Sequence, residues 1–146
     1  MSEYPVVSIG VALMKFDGRL ALAWNERWGA FVLPMSKLDA GPPAETPEAA
    51  AVRAAAEVFR LPVWVATGQT GQAVRHTWRG GADGQLKDYQ FTVVPVEVHP
   101  DFAAAAAGSD RVVLADVDTL LRGNYHPLSP SVKPILTACV EWGWLP

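Results

Sequence analysis

Hydrophobic residues in the first part of the chain occur in short runs separated by turn-forming residues. Residues 6–14 are mostly apolar and rich in β-branched side chains, which predicts a buried strand. Asp17-Gly18 is a favourable hairpin turn, and residues 19–24 are predicted to form the returning strand. Residues 30–33 predict another short strand, which ends at Pro34 because proline has no N–H to donate to a ladder. The chain is therefore predicted to begin with β-structure.

The pattern changes to that of a helix after residues 37–45, where glycine and two consecutive prolines predict a loop. Thr46 is a good N-cap, proline suits the first helical position that follows it, and Glu48 complements the positive end of a helix. Residues 49–56 contain six alanines, which favour a helix intrinsically. A helix over residues 47–59, ended by Pro62, is the clearest prediction in the chain.

Strands and helical segments alternate in the rest of the sequence. Strands are predicted at residues 63–67, 72–79, 88–98 and 111–115, a short helical turn at Asp118, and a closing helix at residues 131–142. The glycine-rich residues 80–84 predict the turn between the two longest strands. This order predicts one mixed α/β domain spanning residues 1–146, a length that suits a single hydrophobic core.

Composition and charge exclude several classes of protein. Half of the residues are hydrophobic, which is typical of a folded chain, and the net charge of −3 argues against a nucleic-acid-binding protein. No apolar run approaches the ~20 residues of a membrane-spanning helix, and no signal peptide is visible, so we expect a cytoplasmic protein without membrane association. Cys139, the single cysteine, lies in an apolar segment and is expected to be a buried structural thiol.

The segment of residues 33–63 carries the most specific motif. It begins with Leu-Pro-x-x-Lys, ending at Lys37. Seven residues separate Glu45 from Arg53, and Glu57 follows Arg53 by one helical turn. It resembles the signature of the Nudix hydrolases, G-x5-E-x7-R-E-U-x-E-E-x-G-U, where U is a bulky aliphatic residue. The resemblance implies a Nudix-like α/β/α sandwich with a mixed β-sheet. It also implies Mg²⁺ or Mn²⁺ held by glutamates against the diphosphate of a nucleoside-diphosphate derivative.

The chain departs from that signature at several positions. Met35 and Ser36 replace a glycine pair, three residues are inserted before Glu45, Ala54 and Val58 replace glutamates, and Arg60 replaces a glycine. On a helix, positions 54, 57 and 58 share one broad face on which glutamates would converge on a cation. Only Glu57, with Glu45 from a changed loop, remains to bind the metal. Because alanine and valine can neither bind a metal nor accept a proton, we expect a weak site and impaired metal-dependent hydrolysis.

Further residues are candidates for ligand binding. Arg75, Trp78 and Arg79 share a predicted strand, where the cations would contact a diphosphate and the indole would stack on a base. The alternative is a solvated strand edge with an aromatic residue packed on the core. Trp28, beside a polar loop, and Lys37, in the Leu-Pro-x-x-Lys entrance, are the other two candidates.

Three hypotheses about function follow. The first is a degenerate Nudix domain that binds a nucleotide-like ligand or a protein partner without efficient hydrolysis. The second is a divergent but active pyrophosphohydrolase, in which Glu57 binds the metal, Glu45 assists, and Arg53 orients a carboxylate. The third is an assembly module, a homo-oligomer for example, in which the apolar helix face left by Ala54 and Val58 packs against another chain.

Overall fold

The computed structural model describes residues 4–16, 18–59, 63–65, 71–79, 84–98, 111–122 and 127–145. Nine strands and three helices lie within these ranges. The strands are β1 (Val6–Leu13), β2 (Lys15–Phe16), β3 (Arg19–Asn25), β4 (Ala30–Val32), β5 (Met35–Lys37), β6 (Val63–Val65), β7 (Gln72–Arg79), β8 (Leu86–Val98) and β9 (Val112–Asp116). The helices are α1 (Pro47–Phe59), α2 (Val117–Leu121) and α3 (Val132–Glu141).

The larger sheet is mixed and is organised around β8, its longest strand. β1 runs parallel to β8, and β5 pairs antiparallel with the other edge of β1. β7 pairs antiparallel with the first part of β8, and β6 pairs antiparallel with the last part. A parallel pair surrounded by antiparallel neighbours makes this the mixed sheet that the sequence predicted.

The smaller sheet is antiparallel and is organised around β3. β9 pairs with β3 over residues 19–23, while β2 and β4 pair with the two ends of the same strand. The hairpin between β2 and β3 turns at Gly18, whose φ of 80° favours glycine. The predicted hairpin is confirmed. Its first strand, however, is the short β2, because the chain leaves the larger sheet at Met14.

Helices cover both faces of the β-layer. One core cluster joins the side chains of α2 and α3 to Leu20 and Leu22 of β3 and to alternate residues of β1 and β8. The other joins Ala51 and Ala55 of α1 to Ala12 and to the opposite faces of the same strands. The result is an α/β/α sandwich, as expected. Among the described residues, no helix is long and apolar enough to cross a membrane.

Pro34 marks the place where the chain passes from one sheet to the other. β4 ends at Val32 in the smaller sheet, and β5 begins at Met35 in the larger one. The Pro34 carbonyl accepts a hydrogen bond from Ala12 N–H at 2.8 Å, so the crossing is attached to β1. The sequence predicted the end of β4 but placed Lys37 in a loop. That placement is wrong, because pairing with β1 extends strand structure through Lys37.

Candidate functional site

The loop before α1 is closed by its own polar groups. Asp39 and Glu45 lie at its two ends: Glu45 N–H donates to the Asp39 carbonyl, and Asp39 N–H donates to Glu45 Oε1, both at 2.9 Å. Gly41 N–H donates to Asp39 Oδ1 at 3.1 Å. Thr46 then caps the helix, because its Oγ1 accepts from Ala49 N–H at 3.1 Å. The predicted N-cap is confirmed, and the inserted residues form part of a compact loop.

Arg53 binds Glu45 through two parallel hydrogen bonds. Arg53 Nη2 donates to Oε1 at 2.7 Å, and Arg53 Nε donates to Oε2 at 3.0 Å. The hydrogen bonds from Arg53 and from Asp39 N–H lower the pKa of the Glu45 carboxyl to about 2. Both carboxylate oxygens of Glu45 are therefore engaged within the protein, and its side chain is only 15% exposed. Oε1 accepts two of these hydrogen bonds and Oε2 accepts one.

Arg53 also connects α1 to the edge strand of the larger sheet. Its Nη2 donates to the Lys37 carbonyl at 3.1 Å, and its Nη1 lies 3.7 Å from Glu57 Oε1, one helical turn away. The pKa of Arg53 is raised, first by the hydrogen bond to Glu45. Glu57 differs from Glu45 because its side chain is 66% exposed. Of the two surviving signature glutamates, Glu57 is the one that faces solvent.

The face of α1 that packs on the sheet is built from alanines. Ala50, Ala51, Ala54 and Ala55 are each at most 3% exposed. Position 54, where the signature has a glutamate, is therefore buried. Over the described ranges, no group of three histidine, cysteine or acidic residues is arranged to hold a metal. Of the two surviving signature glutamates, only Glu57 presents an exposed carboxylate on the described part of α1.

A separate pocket of about 400 Å³ lies on the sheet face opposite α1. Aromatic rings from two strands and one turn form much of its wall, and three cationic residues, Arg27, Lys37 and Lys87, also line it. No aspartate or glutamate is among the described residues that line it. The lining residues are Ile9, Arg27, Trp28, Ala30, Met35, Ser36, Lys37, His76, Trp78, Lys87, Tyr89, Phe91, Ser129, Pro130 and Ser131.

The register between β7 and β8 decides which side chains reach the pocket. His76 lies opposite Tyr89 and Trp78 opposite Lys87, and all four line the cavity. Because side chains alternate along a strand, Arg75 falls on the other face of the sheet, where its Nη2 donates to Gln90 Oε1 at 3.4 Å. The structure therefore separates Arg75 from Trp78. The side chain of Arg79 is outside the described part of the structure.

The remaining walls come from distant parts of the chain. Trp28 is held in the turn after β3, where its backbone N–H donates to Asn25 Oδ1 at 3.1 Å. Its side chain is half exposed. Ser129 is positioned beside β4, because its N–H donates to the Phe31 carbonyl at 2.9 Å. The pocket thus combines one face of the larger sheet, a turn of the smaller one, and the residues that precede α3.

Three of the five predicted ligand-binding residues line this pocket, namely Trp28, Lys37 and Trp78. The predicted metal and catalytic residues Glu45, Arg53 and Glu57 do not line it. The sequence analysis missed Arg27 and Lys87 as contributors of charge. A signal for Lys87 was present in the sequence. Lys87, Tyr89 and Phe91 are alternate residues, so in a strand they share one face, which then carries a cation and two aromatic rings.

Solved structures with this arrangement of strands and helices include Nudix hydrolases. RenU, a Nudix hydrolase from M. smegmatis, is 19% identical and matches with a TM-score of 0.54 over 96% of this chain and 86% of its own. The Ap4A hydrolase of C. elegans is 15% identical, with a TM-score of 0.58 over 95% and 98%. These likenesses show that the chain has the Nudix fold, which confirms the predicted resemblance at the level of the fold.

A third similar structure contains bound molecules. The bifunctional NMN adenylyltransferase/ADP ribose pyrophosphatase of Francisella tularensis, in complex with AMP and a Mn ion, is 12% identical. It matches with a TM-score of 0.64 over 97% of this chain and 43% of its own longer chain. No protein-family model and no curated protein matches the chain. The fold is therefore supported by shape rather than by sequence identity.

Proposed function

We propose that this Nudix-fold chain binds a nucleotide-like, diphosphate-containing ligand in the aromatic pocket and does not hydrolyse it efficiently with a divalent metal. The observation that supports the proposal most is the combination of three cationic residues with aromatic walls, and the described lining residues include no aspartate or glutamate. A planar base gains stacking energy on such walls, and phosphates are neutralised by the cations. A degenerate signature and a cytoplasmic location are part of the same proposal.

The volume of the pocket supports a small ligand. Ligand pockets in proteins measure roughly 300–1,000 Å³, and this one, at about 400 Å³, is near the lower limit. It is therefore suited to one base with its attached phosphates, and the rest of a larger ligand would extend into solvent.

The state of the signature residues supports the absence of efficient hydrolysis. Both oxygens of Glu45 bind protein groups, and position 54 is a buried alanine. Of the surviving signature glutamates, Glu57 alone is exposed. One carboxylate is at the low end of what proteins use to hold Mg²⁺, which is usually one or two together with substrate phosphates.

The test is binding of ADP-ribose in the presence of EDTA, measured by thermal stabilisation and by calorimetry. We expect stabilisation that persists without metal, because the pocket supplies its own positive charge. A double variant, Arg27→Gln with Lys37→Gln, should bind more weakly. Arg19→Gln is the matched control, since Arg19 is exposed on β3 and does not line the pocket. Absence of binding of ADP-ribose and of ADP, with and without Mg²⁺, would contradict the proposal.

The second candidate function is an active pyrophosphohydrolase that uses Mg²⁺ or Mn²⁺. It is favoured by the exposed carboxylate of Glu57 and by the ADP ribose pyrophosphatase named above, whose complex contains manganese. This function predicts metal-dependent release of AMP from ADP-ribose that is lost in Glu57→Gln. Glu141→Gln, which changes an exposed glutamate of α3, is the control. Turnover that survives Glu57→Gln would exclude this role for Glu57.

A protein partner or a homo-oligomer is the third candidate. The sequence suggested it through an apolar face of α1 that includes Ala54. Ala54, however, is only 3% exposed within the single chain and is not available to a partner. Light scattering tests this candidate directly, since an assembly module should form a stable oligomer and should not respond to nucleotides.

A further inference from the structure

His76 and Trp78 form a stacked pair of rings on the pocket wall. They are alternate residues of β7, so their side chains emerge on the same face of the sheet. Their ring centroids are 5.4 Å apart and the planes differ by 22°, which is an offset stack rather than an edge contact. The two rings therefore act as neighbouring layers of one surface.

The two rings differ in solvent exposure. Trp78 is 48% exposed, which is unusual for so large an apolar side chain. His76 is partly buried, and its Nε2 atom is covered and has no hydrogen-bond partner among the described residues. A ligand in the pocket has no access to that nitrogen in this arrangement. The contact that the structure shows for His76 in the pocket is its ring stacked on Trp78.

We propose that Trp78 is the surface on which the planar aromatic ring of the ligand stacks, and that His76 is a positioning residue that holds the indole in place. This inference rests on the proposed function and adds the recognition of a base to it. Lys87, the β8 partner of Trp78 in the register, lies beside this surface and carries positive charge. The ligand is accordingly an aromatic ring joined to an anionic group.

The first experiment compares ADP with inorganic pyrophosphate, measured by calorimetry in EDTA. The difference between their affinities isolates the contribution of the base and its ribose. Stacking on an aromatic side chain is worth about 1–3 kcal/mol per base, so Trp78→Ala should weaken ADP binding by about 5- to 150-fold. Pyrophosphate binding should be unchanged. Trp78→Phe, which keeps a stacking ring, should restore most of the loss.

The second experiment tests whether His76 acts through its ring. His76→Phe keeps a planar ring and removes the unpartnered nitrogen, so ADP affinity should remain near that of the unchanged protein. His76→Leu removes the ring, and its ADP affinity should fall severalfold, with unchanged affinity for pyrophosphate. Thr77→Val is the matched control, because Thr77 lies between the two on the opposite face and hydrogen-bonds Asp88 at 2.5 Å. Thermal denaturation establishes that each variant is folded.

The outcomes separate this inference from the function on which it rests. If neither ADP nor pyrophosphate binds the unchanged protein, the proposed function fails and the inference fails with it. If ADP binds and Trp78→Ala has no effect, only the stacking surface is refuted. If His76→Phe loses as much affinity as His76→Leu, the imidazole nitrogen is used and the positioning role is wrong.

Discussion

Substitution of Gly10 by alanine tests how α1 is held against the sheet. Gly10 lies in the middle of β1, directly under the first turns of α1. A methyl group built at Gly10 would overlap the Pro47 carbonyl oxygen and would lie 2.8 Å from Ala51 N and 2.9 Å from Ala50 Cβ. Two of these three atoms belong to the backbone, so no side-chain rotation relieves the overlap. The helix has to move away from the strand.

The expected cost follows from the size of that overlap. Overpacking a close-packed interface by one methyl group costs roughly 1–3 kcal/mol. For a chain of this length such a loss lowers the melting temperature by about 2–10 °C. Urea denaturation followed by tryptophan fluorescence measures it, with Ser8→Ala as the control because Ser8 is exposed on the same strand. A Gly10→Ala protein within about 0.5 kcal/mol of the unchanged protein would refute direct helix–strand contact here.

Three further predictions concern charge and the single thiol. The pKa of Glu45 is about 2 in the folded protein, against an ordinary value of 4.5. Its ionised form therefore stabilises the native state above pH 4.5, and this stabilisation is lost as the pH falls towards 2. Glu45→Gln should therefore flatten the dependence of the urea midpoint on pH in that window, and an unchanged slope would contradict the bridge to Arg53. Affinity for ADP-ribose should fall with rising salt, because Arg27 and Lys37 attract the ligand by charge; the double glutamine variant should show a shallower dependence. Cys139 is fully buried and burial raises its pKa to about 11, so a thiol reagent should label it only on unfolding; rapid labelling of the native protein would refute this.

Local signals in the sequence predicted the elements well where one residue fixes the backbone. Thr46 and the proline after it mark the beginning of α1, and the structure begins the helix at that proline. Pro34 marks the end of β4. The strand β5 was missed because three residues after a proline carry no pattern of their own. They form a strand because they pair with β1, and that pairing depends on residues in another part of the chain.

The candidate site was less predictable, for a reason that applies to any pocket made by several strands. Whether Arg75 or Trp78 reaches the cavity depends on which face of the sheet each occupies, and that depends on what covers each face. The sequence grouped Arg75, Trp78 and Arg79 by proximity. Alternation along β7 separates Arg75 from Trp78, and the alternate residues of β8 bring Lys87 and Tyr89 to Trp78 and His76.

The contacts of Arg53 change what the surviving signature residues imply about catalysis. Glu45 and Arg53 bind each other, and through them the loop, α1 and the carbonyl of Lys37 are joined. That arrangement holds β5 and the pocket residue Lys37 in place whether or not a metal ever binds. The E-x7-R spacing places Arg53 where it bridges Glu45 and joins the loop to the helix. Glu57 is the other surviving signature carboxylate. It is exposed and lies 3.7 Å from Arg53 Nη1, so its importance depends on whether the protein catalyses hydrolysis. Its substitution therefore distinguishes a binding protein from an enzyme, whereas substitution of Glu45 would disturb both.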